Sequence, residues 1–260
     1  MKILAIGDFH GRLNKKLTKT ISSFDFDFVF CTGDLADTTE RRNIIFKNWE
    51  AVQLVGFEEF VGRKRYLKIL KKEYETTKNV LRFLNSLNKK VFLVYGNCDL
   101  TKKESAPSYI KPVEILYKKY KNVKLLIRKK IKIGNYTLIG HSGYRKLFSR
   151  KDKEIPKSLK KLFAKEKNVI FLTHDVPFNT KFDLVRNKSS PMHGKHVGEP
   201  IYKEVDLKFK PLLHVFGHMH ENHGKAFLGK TLLLNPGAAL ENRFALIELN
   251  KKIKIQLLKC

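Results

Sequence analysis

Disulfide chemistry has little to work with in this chain: its 260 residues hold three cysteines, Cys31, Cys98 and Cys260, far apart and without a CxxC pair. That spacing supports neither a disulfide framework nor a thiolate zinc site, and it predicts a cytoplasmic protein. Long hydrophobic runs are missing too. No stretch approaches the roughly 18 apolar residues of a spanning helix, and the opening run from Met1 breaks at Asp8, so neither a membrane span nor a signal peptide is expected. Acidic residues are scarce, 25 against 53 lysines and arginines, which leaves the chain at +28. Hydrophobic residues nevertheless make up 42%, so the charge does not mean disorder, and a chain this long can bury a sizeable core. Internal repeats, low-complexity tracts and linkers are also absent, which predicts one domain over residues 1–260.

The positive excess has three readings: attraction to nucleic acid, attraction to another polyanion or anionic surface, or a solvated lysine coat. Basic pairs fall along the whole chain, as at Lys15-Lys16, Lys71-Lys72, Lys89-Lys90, Lys160-Lys161 and Lys251-Lys252, rather than in one arm. Nucleic acid therefore stays open as a partner without being nominated by charge.

Short β-branched and aromatic runs end in glycine or polar clusters: Ile3 to Ile6, Phe28 to Cys31, Val91 to Tyr95, Val169 to Leu172 and Leu212 to Phe216. These predict buried strands. Helical patterns lie between the first three, at Lys15 to Ser22 and in a long basic excursion at about 40–88 that breaks near Gly56 or Gly62. Its apolar residues from Trp49 to Tyr74 suit a homodimer contact or a cover over the site. After Tyr120 the pattern changes to hairpins, with Val123 to Ile127, Ile131 to Ile133 and Tyr136 to Ile139 as strands and Gly134-Asn135 as a tight turn. Ala226 to Leu228, Thr231 to Leu234, Phe244 to Leu249 and Ile253 to Leu258 continue it. The expected fold is α/β, a two-sheet β-sandwich flanked by helices.

The chemistry-bearing residues sit where strands end. Five tips carry Gly7-Asp8-Phe9-His10, Gly33-Asp34, Gly96-Asn97-Cys98-Asp99, Thr173-His174-Asp175 and Gly217-His218-Met219-His220. Ligands of open α/β sheets bind outside the carboxyl ends of the strands, so these tips can converge on one crevice. A carboxylate bridges cations, neutral imidazoles suit borderline metals, and an amide oxygen adds a ligand without charge. Each piece alone is weak, but the ordered set points to a two-metal centre. His141, His193, His196, His214 and His223 default to surface or core roles.

On these motifs, from Asp8 to His220, the chain resembles the calcineurin-like metallophosphoesterases. The resemblance implies an αββα fold, a double β-sandwich with flanking helices. It implies one metal on Asp8, His10 and His220, the other on Asn97, His174 and His218, and Asp34 bridging them. The segments His174-Asp175-Val176-Pro177, Gly194-Lys195-His196-Val197-Gly198 and Asn235-Pro236-Gly237 resemble a prokaryotic branch of predicted phosphoesterases. The implied activity is hydrolysis of phosphoesters, phosphodiesters before monoesters, by a hydroxide bridging two divalent ions roughly 3.5–4 Å apart. Asp34 and Asn97 carry the metal-assisted chemistry. Manganese is favoured among manganese, iron, zinc, nickel and cobalt.

One departure matters. Many members carry Gly-Asn-His-Asp, whose histidine contacts phosphate and protonates the leaving oxygen, and here Cys98 stands there. A non-catalytic binding or scaffold protein is the rival this keeps open, with a nuclease as the third reading. His196 is the nominee for phosphate contact, with Arg145 and Lys146 as alternatives. Gly224 to Thr231 also matches the P-loop pattern GxxxxGK[ST] letter for letter, but it runs into Leu232-Leu233-Leu234 instead of a helix, and predicts a hairpin.

Overall fold

Strand β1 (Lys2–Ile6) sorts the core by alternation. Leu4 and Ile6 pack with Leu17, Ile21, Val80, Leu81 and Leu84 of two helices, whereas Ile3 and Ala5 pack with Ile170, Leu172, Leu213 and Val215 of a second sheet. This computed structural model describes residues 1–101, 106–142, 155–188, 190, 192–250 and 252–260. Parallel strands β2 (Phe28–Cys31), β3 (Lys90–Leu93) and β4 (Val123–Leu125) extend one side of β1. The opposite side carries antiparallel β11 (Arg243–Leu249) and β12 (Ile253–Lys259), giving the order β12-β11-β1-β2-β3-β4. The second sheet runs β5-β6-β7-β8-β10-β9, from β5 (Lys129–Ile133), β6 (Tyr136–Gly140), β7 (Val169–Leu172), β8 (Leu213–Val215), β9 (Gly224–Leu228) and β10 (Thr231–Asn235).

Two helix layers cover the outer faces, so the expected α/β two-sheet sandwich is the fold. Helix α1 (Lys15–Ser22) starts where the Asn14 side chain accepts from the Lys16 N–H, and it buries Leu17 and Ile21 one turn apart. The excursion is not one broken helix but four: α2 (Thr39–Lys47), α3 (Trp49–Val55), α4 (Phe57–Val61) and α5 (Arg63–Ser86). Both Gly56 and Gly62 break it, at φ +85° and +78°, and so does Asn48. Of the apolar residues there, Phe46, Leu54, Val55 and Phe60 are exposed. After a single turn, α6 (Val113–Leu116), helices α7 (Lys157–Phe163) and α8 (Pro200–Phe209) press Leu159, Phe163, Tyr202 and Val205 onto Ile139, Val169 and Phe171 of the second sheet. The sequence reading did not place these last three helices.

Val123–Ile127, expected as a hairpin strand, does not join the hairpin. β4 instead pairs parallel with β3, Val91 opposite Val123, and the chain crosses to the second sheet at Arg128, φ +52°. Strand pairing is decided by which sheet offers an open edge, and a short apolar run carries no record of that. The Gly134-Asn135 turn forms as expected, with Ile133 opposite Tyr136. So does the hairpin over the P-loop match, Leu228 opposite Thr231 across Gly229-Lys230.

His141, just past β6, is half-buried. Its Nδ1 is 2.9 Å from the Tyr202 hydroxyl, and burial, with the Arg128 charge second, pushes its pKa down to about 4. Between pH 4 and the ordinary 6.5 the unfolded chain binds this proton and the folded one does not, so stability falls as pH drops through that window. His141→Gln should flatten the acid side of a pH–stability curve by an amount on the order of 2 kcal/mol. An unchanged curve in denaturant melts from about pH 7 to 4 would contradict this.

Candidate metal centre

The five parallel strand tips meet above the seam between the sheets. Backbone hydrogen bonds sew them together: the Asp8 N–H donates to the Gly33 carbonyl at 2.8 Å, His10 N–H to the Asp34 carbonyl at 3.0 Å, and Gly217 N–H to the His174 carbonyl at 3.0 Å. Asp8, His10, Asp34 and His218 all lie in the left-handed region, at φ +52°, +43°, +52° and +69°. Each such non-glycine residue costs on the order of 1 kcal/mol, a strain held by the surrounding structure. Glycine is required between the ligands. A Cβ at Gly96 would stand 2.0 Å from Asp34 Oδ1, and one at Gly217 would stand 2.3 Å from Asp8 Oδ2.

All seven side chains nominated as ligands come together. On one side, His10 Nε2 lies 3.1 Å from His220 Nε2, and His220 Nε2 lies 3.4 Å from Asp8 Oδ1. On the other, Asn97 Oδ1 is 3.0 Å from His174 Nε2 and 2.8 Å from His218 Nδ1. Asp34 Oδ2 stands between them, 3.7 Å from His10 Nε2 and 3.5 Å from His174 Nε2. Asp8, His10, Asp34 and His174 are buried, while His218 and His220 are half-buried and Asn97 opens to solvent.

The donor set fits divalent cations. His174 Nδ1 sits 2.7 Å from the Thr32 carbonyl, so a neutral ring donates there and turns its Nε2 lone pair toward Asn97 and Asp34. Lone pairs of imidazole, amide and carboxylate then face one another, an arrangement that a cation satisfies. The titration of these groups points the same way. Burial works to raise Asp8 and Asp34, yet neighbouring histidines, His220 foremost for Asp8 and His174 for Asp34, hold both below the ordinary carboxylate range. Burial works to lower His174, yet Asp34, Asp8 and Asp175 lift it to about 9, and His220 is lifted by Asp8 against its own burial. The pocket attracts positive charge. His10 alone moves the other way, under burial.

Asp99 holds the centre from behind. Its buried carboxylate accepts the N–H groups of Gly96 (2.8 Å), Asp34 (2.9 Å) and Leu35 (2.7 Å), joining two strand tips. Burial, then the Asp34 charge, pushes it up to about 7. Cys98 presents its N–H to Asp34 Oδ1 at 2.8 Å, and its thiol falls in a potential ligand group with His10 and Asp34. Burial and Asp34 push that thiol up.

His196 joins none of the three potential ligand groups found among the described residues. Its Nδ1 lies 2.8 Å from the buried Asp183 carboxylate, which also accepts the N–H groups of Asn179, Thr180 and Gly198. Arg145 and Lys146 lie outside the described residues. His214 is fully buried, with Asp206 at 2.9 Å and the Thr173 hydroxyl at 2.8 Å. Sequence reasoning missed Thr32, whose role is a backbone carbonyl and leaves no side-chain signal.

The family described as "Metallophosphoesterase, calcineurin superfamily" matches residues 1–258. No curated protein matches the chain. A crystal structure 22% identical superposes with a TM-score of 0.69 over 98% of each chain. The protein TT1561 of Thermus thermophilus, 14% identical, gives 0.60 over 98% of this chain and 97% of its own. A dimetal phosphatase from Danio rerio, 12% identical, gives 0.56 over 99% and 95%. At these identities the likeness is one of fold.

Proposed function

The chain belongs to the calcineurin superfamily of metallophosphoesterases, and we propose that it hydrolyses phosphodiesters at a two-cation centre held by Asp8, His10, Asp34, Asn97, His174, His218 and His220. The observation that carries this is the position of Asp34, which falls in one potential ligand group with His10 and in another with Asp8 and His174. Two cations, when bound, supply Lewis acidity to the phosphoryl oxygens and make water a nucleophile at neutral pH. Manganese is the cation we favour. The Danio rerio fold relative, a dimetal phosphatase, is consistent with two ions.

The chain's own residues supply geometry. Thr32 sets the tautomer of His174, the Cys98 N–H orients Asp34, and Asn97 contributes an oxygen without further charge. Cys98 replaces the imidazole acid that its position implies, so the leaving oxygen takes its proton from solvent, which favours diesters over monoesters. His196, oriented by Asp183, is the proposed phosphate contact from its loop.

Protein stripped of metal should be silent on bis-p-nitrophenyl phosphate and recover when manganese, nickel, zinc or magnesium is restored, with manganese best and p-nitrophenyl phosphate cleaved more slowly. Two ions per chain by elemental analysis with no turnover under any metal would sink the enzyme reading. The Cys98 departure would then favour a binding protein that keeps the fold.

A further inference from the structure

A buried polar chain runs from α8 to the tip of β7 and takes no part in the mechanism above. The Thr173 hydroxyl, just past β7, donates to the Asp175 carbonyl at 2.7 Å and so closes a turn around His174. His214 Nε2, from the middle of β8, lies 2.8 Å from the same hydroxyl oxygen, and His214 Nδ1 lies 2.9 Å from Asp206 Oδ2 of α8. Thr173, Asp206 and His214 are each 0% exposed. The far end is anchored too, since the Thr231 hydroxyl of β10 donates to the Asp206 carbonyl at 3.1 Å.

Proton counting fixes the direction of each link. A hydroxyl has a single proton, and Thr173 gives its own to a carbonyl that can only accept, so the proton between ring and hydroxyl belongs to His214 Nε2. Another must lie between Nδ1 and Oδ2, because two lone pairs would repel at 2.9 Å. Burial pushes the Asp206 carboxyl up, against the pull of His214, in keeping with a proton held in that pair. The rings of Phe171, Phe216 and Tyr202 surround the imidazole at centroid distances of 4.5, 5.1 and 6.0 Å. In that apolar box a phenyl ring would pack as well, and a buried polar pair adds little net stability. What the imidazole adds is direction.

That direction matters because of what the chain joins. β7 runs into Thr173-His174 and β8 into Gly217-His218, and His174 Nε2 comes within 3.2 Å of His218 Nδ1 on the Asn97 half of the centre. His214 belongs to the strand that carries His218, while its side chain holds the residue next to His174. The Thr32 carbonyl fixes the His174 ring from the first sheet, and the Asp206–His214–Thr173 chain fixes its backbone from the second. Resting on the two-cation part of the phosphoesterase reading, we propose that Thr173, His214 and Asp206 are positioning residues for His174, keeping it in register with His218 for the cation on that half. None of the three touches the ion.

The test reads the two cation affinities separately. Manganese titration calorimetry on metal-free protein gives both constants, and a zinc titration followed by imidazole NMR assigns them, His10 and His220 against His174 and His218. Thr173→Val keeps the shape and removes the hydroxyl, so it should weaken the His174–His218 cation about 10- to 100-fold and leave the other within a few-fold of wild type. Thr173→Ser should restore it. Asp206→Leu should weaken the same cation, and Asp206→Asn should recover most of the loss, because an amide N–H can donate to Nδ1 and leave the Nε2 proton in place. Leu159→Ala opens a hole in the same helix layer and should lower Tm without changing either affinity, which separates positioning from plain destabilisation. Folded Thr173→Val that holds both cations as tightly as wild type, or loses both equally, overturns the role, as does Leu159→Ala weakening the His174 side alone. Should Thr173→Val not fold, the two Asp206 variants decide by the same criteria. Wild type that binds two cations and cleaves no phosphoester removes the enzyme reading and leaves the positioning role standing. Wild type that binds fewer than two removes both.

Discussion

Asp34→Asn is expected to lower metal-dependent diester hydrolysis by roughly 10³-fold or more and to leave fewer than two ions per chain. The change is nearly isosteric, so packing survives. What goes is a carboxylate placed between the two halves of the centre, 3.7 Å from His10 Nε2 and 3.5 Å from His174 Nε2. A second readout needs no activity. Asp34 is the largest influence holding His174 up at about 9, so in metal-free protein the His174 imidazole should titrate at lower pH in the variant, visible by NMR. A variant that keeps two ions and the wild-type rate would falsify the bridging role.

Asp99→Ala should be the most destabilising single change at the site. It strands the buried N–H groups of Gly96, Asp34 and Leu35 with no acceptor. Removing one member of such a buried network costs about 3–5 kcal/mol, which for a chain of this size lowers Tm by about 10 °C. Activity should fall with it, because Asp34 and Asn97 are seated by the loops that Asp99 joins. Asp99→Asn, which keeps one acceptor oxygen, should be intermediate. The pH dependence has a definite sign. With its carboxyl pushed up to about 7 from an ordinary 3.8, the folded metal-free chain holds more protons than the unfolded one across that interval, so stability falls as pH rises through it. The alanine variant should lose this slope. A melting temperature equal to wild type would show that the three N–H groups find other partners.

Much of the centre was legible because strand tips announce themselves. A β-branched run ending in glycine and a ligand-type residue recurs along the chain, and the nominated side chains converge. The excursion was legible as helical, but Asn48 as a third break was not, since asparagine ends helices less regularly than glycine. Helices α7 and α8 were missed because their buried apolar faces are short and acquire meaning only against Phe171 and Val169.

Side-chain type and order were enough to locate most of the strands, the alternating faces that sort two cores, the residue types gathered at the candidate metal centre and the lack of an imidazole at Cys98. Those properties are local, set by residue identity and a period of two or about 3.6. Whatever depends on residues distant in sequence came from the folded chain instead. Folding paired β4 with β3 instead of β5, placed the Thr32 carbonyl on His174 across 142 positions, and made Asp99 a clasp between two loops. Backbone acceptors and long-range charges carry no residue pattern, so they emerge only when the strands are brought together.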